Sequence, residues 1–350
     1  MDYRPNSFND IIIKEYSHVF KDVFTENLAV KDEQVLILGD YGSDNRELSP
    51  ILTHAYTLAA KELGLNYKTV FQQAIKDKGE YASEEVIKVL GELPEKSVLV
   101  VNLSNGLGKI GELGKSFRKY CNSNNHRFVS ANSLGGVENS DLSLFLNALN
   151  VDLESMKKET EILCDKLTEA KEVRVKTEAG TDLTYNVEDV TAKTNIGIYR
   201  EPGTGGNLPG GEAYTPPLGK KVDGKVVIDG SSNIRTETQS INTPITLTIK
   251  NGSIVNIEGG IEAERLRGTI EWAQSISKKP ENCLRIGELG IGTNPNAKLL
   301  GATIIDEKVK GTAHIAIGSN YWFGGDIKSI IHMDQVFKDP DIYLDGEKIK

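Results

Sequence analysis

The sequence predicts an α/β protein: an N-terminal α/β domain with a mostly parallel sheet, then a β-rich α+β C-terminal domain that carries a metal site. Short apolar runs alternate with segments of helical periodicity in the first half, a pattern typical of parallel sheets with covering helices. A helical segment at 152–171 ends this half. From about residue 172, alternating apolar and polar residues predict mainly β-structure. We therefore divide the chain into residues 1–168 and 169–350.

The elements of the first half are short and regular. Buried strands are predicted from apolar runs, and helices from apolar residues at helical spacing. In chain order they are the strand VLILGD (35–40), the helix ILTHAYTLAAKELGL (51–65), the strand KTVFQQ, the helix YASEEVIKVLGEL, and the strands SVLVVNL (97–103) and HRFVSAN.

The second half contains alternating strands around turns. In ITLTIKNGSIVNIEG, the dipeptide Asn251-Gly252 predicts a two-residue hairpin turn, because both positions of such a turn need positive φ. VRVKTEAGTDLTYNV has the same texture. One helix is predicted here, at 261–278.

Composition excludes several classes of partner. The formal net charge of −9 argues against nucleic acid or an anionic membrane as the main partner, since both attract an excess of Lys and Arg. The sequence has no run of 18 apolar residues, and its first residues, MDYRPNSFND, lack the pattern of a signal peptide. Three distant cysteines form no disulfide framework, so a cytoplasmic location is expected.

The segment NGLGKIGELG (105–114) has the glycine spacing of a dinucleotide fingerprint and follows a predicted strand. However, no acidic residue ends a second strand about 20 residues later, as nucleotide binding would require. We therefore favour a plain loop and predict no nucleotide cofactor.

Two further segments each offer a glutamate. Glu212 lies in EPGTGGNLPGGEAYTPP, where either a functional loop or an ordinary surface loop fits the pattern. GELGIGTNP is more informative. If it forms a strand, Glu288, Gly290 and Gly292 share one face, which leaves room beside the carboxylate.

The window 311–334 holds two of the five histidines of the chain. In the strand pattern HIAIGSN, His314 shares a face with Ala316 and Gly318. In SIIHMDQVF, His332 and Asp334 share a face, which brings an imidazole and a carboxylate side by side. This arrangement favours a metal site over incidental polar residues.

With these residues in place, the second half resembles the thermophilic metallo-aminopeptidase family, the aminopeptidase T and aminopeptidase S group. The matching segments are EAGTDLTYNV, GGNLPGGEAYTPP, GELGIGTNP, AHIAIGSNYW and IHMD, in this order. The first half matches only in its α/β character. By motif, the resemblance implies a site for two divalent ions (zinc, cobalt or manganese) with the ligands Glu212, Glu288, His314, His332 and Asp334.

The resemblance also implies a hydrolase: a homodimeric aminopeptidase that acts on a peptide or a small amide. Water between two metal ions would attack the scissile carbonyl. Tyr321, seven positions after His314, would donate to the oxyanion, unless it is a packed aromatic beside Trp322 and Phe323. Either Glu212 or Glu288 would bridge the metals or act as base, and we count Glu212 with Tyr321 as catalytic.

One feature departs from the family. Only 17 residues separate His314 from His332, where the peptidases usually carry a longer segment that shapes the substrate cavity. Three alternatives therefore stay open: an amide hydrolase with a non-peptide substrate, a protein that kept the fold without catalysis, and a ring-cleaving dihydroxypyridine dioxygenase. In the last, His314, His332 and Asp334 would hold one Fe(II). The retention of both glutamates favours the peptidase, because a mononuclear site needs neither.

Overall fold

The structure, a computed structural model, describes residues 7–43, 45–76, 79–218 and 221–349. Two compact units make up the chain, one of residues 1–150 and 197–210, the other of residues 151–196 and 211–350. The helix that the sequence put at the end of the first domain lies in the second unit, at Leu153–Glu169. The division after residue 168 stays a prediction.

The α-helices of the described residues are Ser7–Glu15 (α1), Ser17–Asp22 (α2), Leu48–Glu62 (α3), Glu84–Glu92 (α4), Phe117–Ser123 (α5), Leu142–Leu149 (α6), Leu153–Glu169 (α7), Ile261–Ile276 (α8) and Thr303–Asp306 (α9). A π-helical segment covers Val23–Asn27, and 3-10 helices cover Gly111–Leu113, Leu134–Gly136, Asn139–Asp141, Pro280–Leu284 and Tyr321–Phe323. Each of these described helices is too short or too polar to span a bilayer.

The strands are Val35–Asp40 (β1), Tyr67–Gln72 (β2), Val98–Asn102 (β3), Arg127–Ala131 (β4), Glu172–Lys176 (β5), Asp182–Asn186 (β6), Lys193–Asn195 (β7), Gly205–Asn207 (β8), Glu212–Thr215 (β9), Val222–Ile228 (β10), Ser231–Asn233 (β11), Thr238–Ser240 (β12), Ile245–Lys250 (β13), Ser253–Glu258 (β14), Ile286–Gly292 (β15), Thr312–Gly318 (β16), His332–Lys338 (β17), Asp341–Leu344 (β18) and Glu347–Lys348 (β19).

The first unit is built on a parallel sheet of order β2-β1-β3-β4-β8. Every residue of β1, β3 and β4 is buried, as expected for strands covered on both faces. The glycine-rich segment after β3 forms a loop and the 3-10 helix Gly111–Leu113, and α5 begins only at Phe117. The predicted alternation of strand and helix is thus confirmed.

The second unit contains two seven-stranded antiparallel sheets, of order β14-β13-β10-β6-β5-β18-β19 and β12-β11-β17-β16-β15-β9-β7. Apolar residues of both sheets form one shared core, for example Leu247 and Ile315. The predicted hairpin is present between β13 and β14, with positive φ at Asn251 (51°) and Gly252 (73°). The predicted fold class is therefore confirmed.

Candidate metal centre

Four adjacent strands of the second unit carry all five residues that the sequence predicted as metal ligands. These are β9, β15, β16 and β17, which follow one another in the sheet. Four of the site residues are each paired with a glycine or an alanine on a neighbouring strand. Paired residues point to the same face of the sheet, so these small residues lie beside the site. The pairs are Gly292 with Glu212, Gly290 with His314, Ala316 with Asp334, and Gly318 with His332.

The five side chains form one connected cluster. His314 Nε2 lies 3.4 Å from Glu288 Oε1 and 3.7 Å from Glu212 Oε2. His332 Nε2 lies 3.7 Å from Glu288 Oε2 and 3.3 Å from Asp334 Oδ1. His332 is the most accessible member, with its side chain 25% exposed, while the other four are buried. A ligand from solvent would therefore meet His332 first.

The space beside Gly290 and Gly292 is filled from within the site. A Cβ at Gly290 would lie 2.1 Å from His314 Nε2, and a Cβ at Gly292 would lie 2.1 Å from the carbonyl oxygen of Val309. The sequence predicted room beside Glu288 on this face. That room is occupied by the His314 imidazole and by the backbone that follows Lys308.

The cluster contains two further charged residues, Lys308 and Glu307, that the sequence did not predict as site residues. Lys308 has no exposed side-chain surface, and its ammonium contacts Glu212 Oε1 and lies 2.5 Å from Glu307 Oε1. Glu307 also has a carboxylate oxygen within 4.8 Å of ligand atoms of His314 and Asp334. Both residues follow the four-residue helix α9, in a connecting segment without periodicity. No local signal in IIDEKVKG marks them as site residues.

Burial and mutual contact shift the pKa values of these groups. Burial raises the pKa of Glu288, and with the charge of Glu212 it raises the pKa of Glu307 to about 8. Burial opposes the charge of Lys308, but Glu212 and Glu307 outweigh it and raise its pKa above the usual range.

The histidines and Asp334 stabilise one another's charged forms. Burial disfavours the imidazolium of His314, yet the hydrogen bond to Glu288 and nearby carboxylates raise its pKa to about 9. For His332, Asp334 outweighs burial and raises the pKa to about 10. Burial likewise opposes the charge of Asp334, but His332 holds its pKa below the usual range. Without a metal ion, the imidazoles therefore favour the protonated form.

The donor set fits a divalent metal ion. His332 Nδ1 lies 2.8 Å from the carbonyl oxygen of Ser319, which can only accept, so this nitrogen carries a proton. When a metal ion displaces the second proton, the lone pair of Nε2 faces the cluster. Asp334 Oδ1 is buried and, although it lies 3.3 Å from His332 Nε2, makes no hydrogen bond in the described part of the chain. Buried carboxylates beside imidazoles with unused donor atoms are what a metal ion satisfies.

The short segment between the histidines surrounds His332 with aromatic rings. The Trp322 ring centroid lies 4.9 Å from that of His332, and the Phe323 centroid lies 6.2 Å from it. Tyr321 is 51% exposed, and its recorded ring contacts are with Trp322 and the Lys328 ammonium. Tyr321 is therefore not the packed aromatic of the alternative interpretation, and Trp322 is the ring beside the cluster.

Solved structures of two proteins share this fold over nearly the whole chain. Against 2,5-dihydroxypyridine dioxygenase from Pseudomonas putida KT2440, the TM-score is 0.71 at 21% identity, covering 99% of this chain and 96% of that one. Against AmpT from Thermus thermophilus, the TM-score is 0.65 at 15% identity, covering 96% and 97%. The resemblance to aminopeptidase T is thus confirmed for the fold.

The sequence comparisons overturn the predicted activity. A curated 2,5-dihydroxypyridine 5,6-dioxygenase from Pseudomonas putida is 29% identical over 192 residues, which span 52% of this chain and 53% of the relative. The prediction of an aminopeptidase, and with it of a hydrolase and a protease, is therefore wrong, because this relative is an oxygenase. The prediction of a metal cofactor is consistent with the similarity to this dioxygenase.

A family model described as NicX, 2,5-dihydroxypyridine 5,6-dioxygenase, matches residues 145–350. The matched region contains β9, β15, β16 and β17 with every residue of the cluster. Since it covers more than half of the 350 residues, the chain belongs to the NicX family.

Proposed function

We propose that this protein is a metal-dependent dioxygenase that cleaves a small hydroxylated aromatic ring, with a dihydroxypyridine as the substrate class. The observation that carries the proposal is that Asp334 lies between the two histidines: its carboxylate is within 4.8 Å of a ring nitrogen of His314, and its Oδ1 lies 3.3 Å from His332 Nε2. Two histidines and one carboxylate are the ligand set typical of non-haem Fe(II) oxygenases. The NicX family match and the curated dioxygenase relative support the same chemistry.

We propose one Fe(II), held by His314, His332 and Asp334, in place of the two ions first expected. When bound, Fe(II) would supply the redox chemistry that a reaction with O₂ requires. Glu212 is not needed as a ligand in this arrangement, and its Oε1 contacts Lys308 instead.

Glu288 is the proposed proton acceptor. Its oxygens face both imidazoles, at 3.4 Å from His314 Nε2 and 3.7 Å from His332 Nε2, and burial raises its pKa. A carboxylate with a raised pKa is a stronger base than an ordinary one, which suits it to accept a proton from a substrate hydroxyl. The base role left open between the two glutamates is therefore assigned to Glu288.

The aromatic surroundings of His332 favour a flat substrate. The rings of Trp322 and Phe323 lie edge-to-face against this imidazole, and Tyr214 packs edge-to-face on Phe323 with centroids 5.4 Å apart. Such rings offer edge-to-face contacts to an aromatic ring and exclude water around it.

Oxygen uptake tests the proposal. Protein reconstituted with Fe(II) should consume O₂ when 2,5-dihydroxypyridine is added, and Asp334→Ala should abolish the uptake. A leucine anilide, assayed with zinc, cobalt or manganese, should release no leucine. Anilide cleavage without O₂ uptake would refute the proposal.

A homodimer and a cytoplasmic location also remain proposals. The first rests on the family resemblance and the second on the three scattered cysteines. Light scattering of the purified chain tests the first, and fractionation of the source cells tests the second.

A further inference from the structure

Lys308 is a cation within the cluster of carboxylates. Its side chain has no exposed surface, and its ammonium contacts Glu212 Oε1 and Glu307 Oε1. The other oxygen of Glu212 lies 3.7 Å from His314 Nε2, so this ammonium is one carboxylate away from a proposed metal ligand. A buried lysine is stable only when paired in this way.

The backbone around Lys308 is fixed against the end of β15. The Lys308 N–H donates to the carbonyl of Ile305, and its carbonyl accepts from the N–H of Asn294, each at 2.8 Å. The Lys310 N–H donates to the carbonyl of Asn294 at 3.0 Å. Gly292 permits this close approach, because a Cβ there would meet the Val309 carbonyl oxygen. The ammonium is therefore held at Glu212 by its own chain segment.

The pairing bears on how many metal ions the cluster can hold. A second ion of the type first predicted would use Glu212, whose ligand oxygen lies within 4.8 Å of the ligand atoms of Glu288 and His314. Lys308 contacts Glu212 Oε1 and leaves only Oε2, on the side of His314, for a metal ion. A second divalent ion at Glu212 or Glu307 would also lie beside a buried positive charge, which repels it. Glu288, Asp334 and both imidazoles lie outside the lysine's recorded ion pairs.

We infer that Lys308 takes the place of a second metal ion, so that its ammonium pairs with Glu212 and Glu307 and limits the cluster to one divalent ion. This inference rests on the metal site of the proposed function. It explains why a chain with all five ligand types of a two-metal peptidase can carry a one-metal centre. The glutamate that seemed to favour the peptidase is the partner of a lysine.

Manganese binding tests the inference without reference to activity. Metal-free wild-type protein, Lys308→Met and Lys310→Met are each saturated with Mn²⁺ alone and desalted, and the metal is counted by mass spectrometry. Electron paramagnetic resonance then separates an isolated ion, with a six-line signal, from a coupled pair. Lys310 is the matched control, because it lies two residues away in an exposed ion pair with Glu159.

The expected result is one Mn²⁺ per chain with an isolated-ion spectrum in wild type and Lys310→Met, and two coupled ions in Lys308→Met. Two ions in wild type, or one in Lys308→Met as well, would overturn the inference and leave the proposed dioxygenase standing. No Mn²⁺ in wild type would overturn the inference and the proposed metal site together. If Lys308→Met does not fold, Lys308→Gln takes its place: two coupled ions in that variant support the inference, and one isolated ion overturns it.

Discussion

Gly290 lies directly opposite His314 in the antiparallel pair of β15 and β16, where a Cβ would come within 2.1 Å of His314 Nε2. We expect Gly290→Ala to push the imidazole out of the cluster and to abolish metal binding, because no real Cβ tolerates such an approach. Metal content after reconstitution measures the effect. Gly268→Ala is the control, since a Cβ there meets nothing within 4 Å in α8. It should bind metal normally and be slightly more stable, by about 0.5–1 kcal/mol. Normal metal content in Gly290→Ala would disprove this account of the glycine.

His332→Ala and Asp334→Ala should each lose metal while the fold persists. The two side chains lie 3.3 Å apart, and neither belongs to the apolar core. Metal affinity in wild type should also weaken as the pH falls, because an imidazole must lose its proton before it binds metal. Calorimetric titration with Fe(II) under anaerobic conditions would measure both effects. Wild-type affinity in either variant would place the metal elsewhere.

Glu288→Gln should keep the metal and lower kcat. Its carboxylate is buried beside both imidazoles, and the amide cannot accept a substrate proton. Loss of one general base costs about 10²–10⁴-fold in rate. Steady-state oxygen uptake measures kcat, and the metal content of the same protein shows whether the ion is retained. Metal loss in this variant would show that Glu288 is a ligand and not the base.

The sequence predicts those parts of the fold and of the site whose residues lie close together along the chain. VLILGD matches β1 to the residue, since a buried strand leaves an uninterrupted apolar run. His332 and Asp334 were found together because the two-residue spacing of a strand fixes their common face. Such patterns lie within a few consecutive residues.

Lys308 could not be found in this way. It follows a four-residue helix, and its partner Glu212 lies 96 residues earlier in the chain. Only the tertiary fold brings the two together. The predicted aminopeptidase activity is wrong because histidine and carboxylate ligands serve both peptidases and oxygenases, and the sequence pattern does not distinguish the two.

The pH dependence of stability should carry a signature of Asp306. Burial raises the pKa of its carboxyl to about 6 from an ordinary value of 3.8, although it accepts from the N–H groups of Leu300 and Ala302. The folded state thus holds this proton more tightly than the unfolded state. Its stabilising contribution is complete below about pH 4 and is lost as the pH rises through 6.

Asp306→Asn removes this titration. Between pH 4 and pH 7, the free energy of unfolding of the metal-free wild type, minus that of the variant, should fall by on the order of 3 kcal/mol. Urea unfolding at several pH values measures the difference. A difference that does not change with pH would contradict the raised pKa.

Trp322→Ala should weaken substrate binding and leave the metal in place. The indole lies edge-to-face against His332 and is half exposed. It is therefore positioned to contact a substrate beside His332, and it is not a metal ligand. An aromatic contact of this kind is worth about 0.5–1.5 kcal/mol, which predicts a KM raised roughly two- to tenfold. Tyr321→Phe is the companion variant, since it keeps the ring and removes only the hydroxyl. An unchanged KM in Trp322→Ala with a large loss in Tyr321→Phe would assign the substrate contact to the tyrosine.

The fate of molecular oxygen tests the proposed dioxygenase most directly. Fe(II)-loaded protein is given 2,5-dihydroxypyridine under ¹⁸O₂, and the product is analysed by mass spectrometry with Asp334→Ala as the control. The account predicts a ring-opened product that contains both ¹⁸O atoms, and no product from the control. A product whose new oxygen comes from water would contradict it.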